Sequence, residues 1–514
     1  MKAKKLFVII FSLLVIFLLD DIHVYADTLK VGVRRIPSEF YQIVYHNFSY
    51  DLILRNVYET LFKLDNNYSI QPVLATEWKN SDDNRVWTIK IRKNASFSNG
   101  QSLSANDVKT SFDWMMEQAK LRKNQYILNL FDKLEIIDNF VIKLITKYPN
   151  ANTLAILSKY MPIFLTVKKP FDTFQNIPLG TGPYTLQKDK SQVSLKKQSN
   201  GYWGPEPFYD AIVFKIREEA ASKMALLSGD IDVSTDISYE FYQDIERSSN
   251  HYLVVQNSKV SYVAINTHIK PFNDIRIRKA LNLAIDRAAI NKHIFHENAV
   301  INRGFFSPLT IGSNPDISPY KYNPDQAIRL LKDAGVYGNL RIRLNFPLNN
   351  IARKQAELIS EFLKMINISI KLIPLNIGEW YAKYQKPDNK GLFFVETNFN
   401  PLPVFYYAGP FRENIIKEYY FNYTELKSKF KKAISTFDTK ERKRMYYEID
   451  SKIHADCLFI FLHTYPSSFI GISDQVNNQA WLTLTSAGLN SCDNCYNDPK
   501  CKEREDCAKR CCPD

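Results

Sequence analysis

The chain has 514 residues, 45% apolar and 24% charged, and its 67 lysines and arginines outnumber 54 aspartates and glutamates to give a net charge of +13. This composition excludes a disordered or fibrous chain, and the length exceeds what one hydrophobic core serves, so two or more lobes are expected. A positive balance suits anionic lipid, acidic ligands or nucleic acid, but the basic residues are spread along the chain and match no nucleic-acid module, so the charge reads mainly as a solvated surface.

Lys2, Lys4 and Lys5 precede an apolar run from Leu6 to Leu19, which is 14 residues long and shorter than the roughly 20 residues a bilayer span needs. Val24-Tyr25-Ala26 then offers a cleavage site, so residues 1–26 are expected to be a signal peptide. Asp20 and Asp21 are unusual there, and an uncleaved anchor is the rival reading. No cysteine precedes Cys457, so there is no lipobox cysteine, and a freely diffusing periplasmic protein is expected.

Thr28 to Val33 has a strand pattern, and Arg34 to Tyr41 reads as loop. Leu54, Val57, Tyr58, Leu61 and Phe62 form a helical stripe within Leu52 to Phe62. Trp87, Ile89 and Ile91 alternate with polar residues as a half-buried strand does, and Asn99-Gly100 supplies a turn. Ser104 stands three residues before Asp107, which predicts a capping box opening a helix with Val108, Phe112, Met115 and Met116 turned inward. Ile136 to Leu144 reads as strand, turn and strand. Leu179-Gly-Thr-Gly-Pro-Tyr184 lacks the Lys-Ser/Thr of a phosphate loop and reads as a tight turn at a crossing between lobes.

Ala211 to Ile216 is a strand, and Ala220 to Leu227 a helix ended by Gly229-Asp230. From Tyr262 a strand leads to a loop, where Asn273 or Asp274 caps a helix with Ile277, Ala280, Leu281, Ala284 and Ile285 buried, and Asp286 caps the next. Asp274 and Arg278 have the spacing of an ion pair along one helix face. Pro324 to Leu331 is another capped helix, closed by Gly335. Leu340 to Phe346, Arg353 to Met365 and Ile368 to Ile373 read as strand, helix and strand, the clearest α/β signal in the chain. Gly391 to Val395 is a buried strand running into Glu396-Thr-Asn398-Phe399, where ligands sit in an α/β lobe. Helices over Glu425 to Phe437 and Lys440 to Ile453 and a strand over Leu458 to Leu462 close the globular part.

Six of the seven cysteines, Cys492, Cys495, Cys501, Cys507, Cys511 and Cys512, crowd the last 23 residues. Outside the cytoplasm this reads as a small disulfide-stapled tail of unspecified pairing, with a zinc or copper site as the rival. Cys457 lies in an apolar run and is expected to be an inert core thiol. His293 and His296, three apart beside Glu297, are expected at a helix surface or cap rather than on a metal. No Gly-x-Ser-x-Gly elbow and no His-x-x-x-His pair is present. Catalysis, a cofactor and a resident metal are therefore not expected, and a hydrolase is the weakest reading. With 30 tyrosines and 33 phenylalanines, most rings build core, and some suit a cleft for a flexible polar guest.

The runs Trp87 to Val108 and Asn266 to Arg287, with Leu179 to Tyr184 and Gln326 to Gly335 in the same order, resemble the oligopeptide, dipeptide and nickel group of extracellular solute-binding proteins from about Thr28 to Gln479. The resemblance implies an α/β, periplasmic-binding-protein-like (type II) fold whose interlaced lobes close on a ligand and report it to the permease of an ABC importer. On that pattern lobe I comprises 27–65, 179–268 and 456–490, lobe II 66–178, lobe III 269–455, and 491–514 lies outside as the cysteine-rich tail. A monomer is expected, with a peptide or other small solute and permease subunits as partners. Tyr41, Trp380, Glu396, Asn398, Phe399, His463 and Tyr465 are the ligand contacts implied. Peptide-binding members often place an Asp where this chain has Asn398, which lacks the charge that favours an ammonium. Glu396, two residues away on an extended strand, faces the same side. A metal chelate, another solute, or a sensing module outside transport are the alternatives.

Overall fold

The computed structural model describes residues 28–36, 48–65, 68–121, 124–165, 179–188, 192–384, 386, 391–398, 424–477, 481 and 484. Tyr41, Phe399, residues 1–26 expected to be a signal peptide, and the six tail cysteines lie outside the described residues.

The first segment contains β1 (Thr28–Val33), α1 (Phe48–Leu54) and an antiparallel pair, β2 (Phe62–Leu64) with β3 (Ile70–Pro72). Next come β4 (Ala75–Asn80), β5 (Val86–Ile91), α2 (Ala105–Leu121), α3 (Gln125–Leu130), β6 (Phe131–Asp138), β7 (Val141–Thr146) and α4 (Thr153–Tyr160). Their strands form an antiparallel sheet in the order β4-β5-β7-β6, and α2 and α3 pack on β6. The chain returns through β8 (Phe164–Leu165), paired with β9 (Leu179–Gly180). Then come β10 (Tyr184–Lys188), β11 (Gln192–Lys197), β12 (Ala211–Ile216), α5 (Glu219–Leu227), β13 (Val233–Ile237) and α6 (Tyr239–Glu246). After β14 (His251–Ala264) stand α7 (Ile275–Leu283), α8 (Arg287–Phe295), β15 (Val300–Ile301), α9 (Pro324–Asp333), β16 (Leu340–Pro347), α10 (Asn350–Lys364) and β17 (Ile368–Leu375). The last are α11 (Ile377–Tyr384), β18 (Leu392–Asn398), α12 (Thr424–Ser435), α13 (Thr439–Ala455) and β19 (Phe459–Ser473).

One sheet of 11 strands joins both halves of the chain in the order β10-β11-β12-β1-β13-β19-β14-β18-β16-β17, with β15 on β19. Its centre is the long antiparallel pair β14–β19, whose register shifts between Val255 and Tyr262. Period-2 alternation sorts the second half into two cores. Val263, Leu344 and Phe394 pack with Ala356 and Ile359 of α10 on one face, whereas Tyr262, Phe393 and Val395 pack with Trp380, Phe430 and Ile449 on the other. The four-stranded sheet shares a third core with β1, β12 and the end of β19.

Local signals translate well where one neighbour settles them. Asp274 accepts from the Arg276 N–H at 2.8 Å, Asp286 from Ala289 at 2.9 Å, Asn323 from Gln326 at 2.9 Å and Asn349 from Ala352 at 2.8 Å, opening α7, α8, α9 and α10. The β16–α10–β17 unit is parallel as expected. Gly182 donates to Val57 O at 2.9 Å, and a Cβ there would lie 2.6 Å from Asn56 O, so this turn needs glycine to lie against the chain after α1.

Four expectations change. The stripe over Leu52 to Phe62 is buried throughout its apolar positions, but the helix ends at Leu54, because Leu61 O turns to meet Val73 and Ala75. At Ser104 only half of the capping box forms. Asp107 accepts from the Ser104 N–H at 2.9 Å, while the Ser104 hydroxyl donates to that same carboxylate at 2.6 Å. β19 runs on to Ser473, so His463 and Tyr465 lie within it rather than after it. Asp274 pairs with Arg276, Nη2 to Oδ2 at 2.6 Å, and Arg278 turns inward.

Arg278 is drawn inward by the carbonyls of Phe272 and Asp456, the C-cap of α13, and side chains also complete the edge of β19 that follows. From Phe469 to Ile472 its outer edge pairs with β13. Between Phe459 and Phe461 side chains satisfy it instead. Asn282 donates to Phe459 O at 2.9 Å and accepts from the Phe461 N–H at 3.3 Å, as a neighbouring strand would. Arg287 donates through Nε to Phe461 O at 2.5 Å and through Nη1 to Asn282 O at 2.9 Å, and Arg278 donates to Asp456 O at 2.8 Å. The carbonyls of Phe459, Phe461 and Asn282 are buried, and leaving one unpaired costs about 1–3 kcal/mol. Asn282 and Arg287 are thus a side-chain substitute for a missing strand, while Arg278 serves the chain just before it.

Candidate functional site

Strand direction places the cleft. β1 and β13 run parallel, and β13 is antiparallel to β19, so both end toward the second half of the molecule. β18 is antiparallel to β14 and parallel to β16, which is parallel to β17, so these three end toward the first half. Carboxyl ends of two parallel sets therefore face each other across the irregular centre of the β14–β19 ladder. Ligands in open α/β sheets bind at such ends, where the strands leave backbone groups and loops unpaired.

On the first wall Asp236, with φ of +61°, closes β13. Its carboxylate accepts from Ser49 Oγ at 3.2 Å and Thr235 Oγ1 at 3.1 Å. Arg34, just past β1, approaches Glu219 at 4.0 Å.

On the second wall Glu396 and Asn398 share a face of β18, opposite Ser261 and Lys259 of β14 respectively. The Glu396 side chain is only 6% exposed. The Tyr465 hydroxyl donates to its Oε1, Asn349 Nδ2 donates to its Oε2 at 2.9 Å, and Lys259 Nζ stands 3.8 Å from the same oxygen. Tyr465 is held by the Phe295 ring, stacked at 4.5 Å. Asn398, at the strand end, is exposed.

Trp380 and His463 sit elsewhere. Trp380 lies in the core on the opposite face of the sheet from Glu396, and its indole N–H donates to Phe394 O at 3.1 Å. His463 is fully buried beneath the start of α8, its Nε2 2.8 Å from Arg287 O. That contact makes Nε2 the protonated nitrogen. Burial pushes the imidazole down to about 3, so it stays neutral. Sequence reasoning brought Glu396, Asn398 and Tyr465 to one wall but missed Asp236, Lys259 and Asn349. The signal for Lys259 was its two-residue alternation with Ser261 and Val263 along a strand. Nothing local linked it to Glu396.

Two further buried carboxyls belong to scaffolding. Glu59 faces a cavity of about 520 Å³ between the chain after α1 and the loop Tyr202 to Phe208. It accepts from Tyr202 Oη at 2.7 Å and Trp203 Nε1 at 2.8 Å, while the Arg92 guanidinium lies 4.0 Å over the Trp203 ring. Burial raises its pKa against those bonds. None of Arg34, Asp236, Lys259, Glu396 or Asn398 lines this cavity, and its carboxylate is engaged by the protein. Asp450 accepts N–H bonds from Phe305 at 2.8 Å, Phe306 at 3.2 Å and Asn314 at 3.1 Å. Burial pushes it up to about 6. It packs so close to Gly304 that any Cβ there would collide with the carboxylate.

Cys457 is buried and unpaired by a disulfide, its Sγ 3.0 Å from the Tyr320 hydroxyl, and burial raises the thiol pKa, which makes it unreactive. His293 lies in the last turn of α8 and His296 is its left-handed C-cap. Among the described residues no His, Cys, Asp or Glu cluster is arranged to hold a metal, and no helix is long and apolar enough to cross a membrane.

Residues 69–416 match the family described as bacterial extracellular solute-binding proteins, family 5, middle. The chain is 27% identical over 377 residues to the dipeptide-binding protein of Escherichia coli strain K12, covering 66% of this chain and 69% of that protein. It is 24% identical over 449 residues to the nickel-binding periplasmic protein of the same strain, covering 81% and 84%. An ABC transporter-associated periplasmic binding protein of Helicobacter pylori, solved in complex with a peptide, matches with a TM-score of 0.66 at 23% identity, covering 88% of this chain and 94% of that one. The fold is that of the type II periplasmic binding proteins.

Proposed function

The chain belongs to the family 5 bacterial extracellular solute-binding proteins, carriers that serve ABC importers without altering their cargo, and we propose that this member captures peptides by hinge closure and delivers them to a membrane permease. The observation that carries the reading is the convergence of two sets of strand ends on the irregular centre of β14–β19. Register shifts between Val255 and Tyr262 weaken the ladder where the two walls meet, which suits a hinge. The lobes are 27–65, 179–268 and 456–490; 66–178; and 269–455, with 491–514 outside them. The protein acts as a monomer in the periplasm after removal of 1–26.

Glu396, Asn398 and Tyr465 contact the guest, joined by Tyr41 and Phe399 on the flanking segments, while Trp380 and His463 support the wall from within. Peptide backbones suit such a site because strand ends offer amide donors and acceptors to any sequence. Asn398 in place of an Asp favours guests that do not present an ammonium at that point.

Native mass spectrometry of gently purified protein, followed by ligand release, tests the proposal. A co-purifying set of peptides is the expected result, with small-angle scattering showing contraction on re-binding. A stoichiometric metal chelate in place of peptides overturns the peptide assignment. An unchanged scattering profile with every peptide offered overturns capture by closure.

A further inference from the structure

The Glu396 wall carries a charge arrangement that narrows the cargo. Glu396 is deeply placed and already served by the Tyr465 hydroxyl and the Asn349 amide, and the cation beside it belongs to the protein. Lys259 is 35% exposed, and its ammonium stands 3.8 Å from the carboxylate, an electrostatic neighbour rather than a close hydrogen-bond partner. An ammonium has three donors, so this geometry leaves N–H groups for something else. Lys259 also neighbours Asn398 and Tyr465 in register, which puts it at the strand-end level of the cleft rather than on an outer surface. A guest ammonium arriving here would meet Lys259 before it met Glu396. A guest carboxylate would meet a partly engaged cation, an uncharged amide at Asn398 and a protein whose net charge of +13 draws anions toward it.

We infer that Lys259 is a specificity-determining contact that receives a carboxylate of the guest, so that the cargo is a peptide engaged through an anionic group on the second wall. This rests on the peptide reading above. Glu396 holds the Lys259 ammonium toward the cleft, and Tyr465 and Asn349 hold Glu396.

The test is isothermal titration of the full-length secreted protein at pH 7 and low salt with trialanine, trialanine amide and trilysine. Trialanine is expected to bind at least ten-fold more tightly than its amide, and trilysine most weakly. Lys259→Met should remove the acid-over-amide preference while the amide affinity stays within about two-fold. Lys259→Arg should retain the preference, and matching thermal melts establish that both variants fold. Asn398→Asp, which places a carboxylate beside Lys259, should lower trialanine affinity and raise that of trilysine. A preference near unity in the wild type, or one unchanged in Lys259→Met, overturns the inference and leaves peptide capture standing. Failure of the wild type to bind any of the three overturns both.

Discussion

β19 is completed in two different ways along one edge. From Phe469 to Ile472 the partner is β13, and backbone meets backbone. From Phe459 to Phe461 the partner is a set of side chains, Asn282 and Arg287, supplied by α7 and the start of α8. A backbone ladder tolerates most side-chain substitutions, because its donors and acceptors are present in every residue but proline. A side-chain patch depends on particular atoms at particular distances. The patched half should therefore be brittle and the paired half robust.

The largest effect expected is acid sensitivity of the patched half. His463 is held neutral, with its folded pKa lowered to about 3, while an unfolded histidine protonates near 6.5. The unfolded state therefore takes up the proton first, and stability falls as pH drops below about 6.5, by up to roughly 4 kcal/mol as the pH nears 3. His454, pushed down to about 4 by burial, adds to the loss, and Asp450 opposes it over part of the range. Its raised value makes its contribution fullest below the unfolded value near 3.8 and lost as pH rises through about 6. Urea titrations at pH 7 and pH 4 should show the net loss, and His463→Gln should reduce it.

Arg287→Met comes next, at about 3 kcal/mol, since it strips donors from buried carbonyls at Phe461, Asn282 and Ile285. Hydrogen exchange should quicken around residues 459–463 and stay unchanged at 469–472. Equal quickening in both segments would erase the distinction between the two edges.

Asn282→Ala should cost about 2 kcal/mol and expose a single amide above all, the Phe461 N–H that Asn282 Oδ1 receives. Exchange at that amide is the sharpest probe of the patch. Asp274→Ala removes the α7 cap and the partner of Arg276, both near the surface, for about 1 kcal/mol. Its effect should not reach β19, because Arg278 is anchored by carbonyls rather than by Asp274.

Much of the fold was legible beforehand, and the reason is locality. A cap at Asp286 or Asn323 is decided by a residue and the N–H three positions on. The β16–α10–β17 unit shows through its apolar strands and through the helical stripe of α10, which buries Ala352, Ala356, Ile359 and Leu363. The misreadings share a cause as well. Arg278 has a carboxylate one turn away, yet carbonyls at Phe272 and at the distant helix cap Asp456 outweigh an exposed ion pair worth a few tenths of a kcal/mol. The apolar run after Cys457 looks finished at Leu462, but β15 pairs with His463 and β14 with Thr464 to Ser473, which carries the strand to that end. The candidate wall was half legible. Glu396 and Asn398 share a face by strand geometry alone, whereas Trp380, on a helix, was assigned no face and packs behind the sheet.

The amino-acid sequence by itself determined the elements, their caps, their buried faces and the family, since each depends on residues within a few positions or on a pattern spread over the chain. Tertiary structure alone decided that Lys259 stands beside Glu396, that Asn349 and Tyr465 complete its shell, and that Asn282 and Arg287 serve β19. Those contacts join segments far apart in the chain, and strand pairing with its particular register, not any local preference, sets which side chains meet.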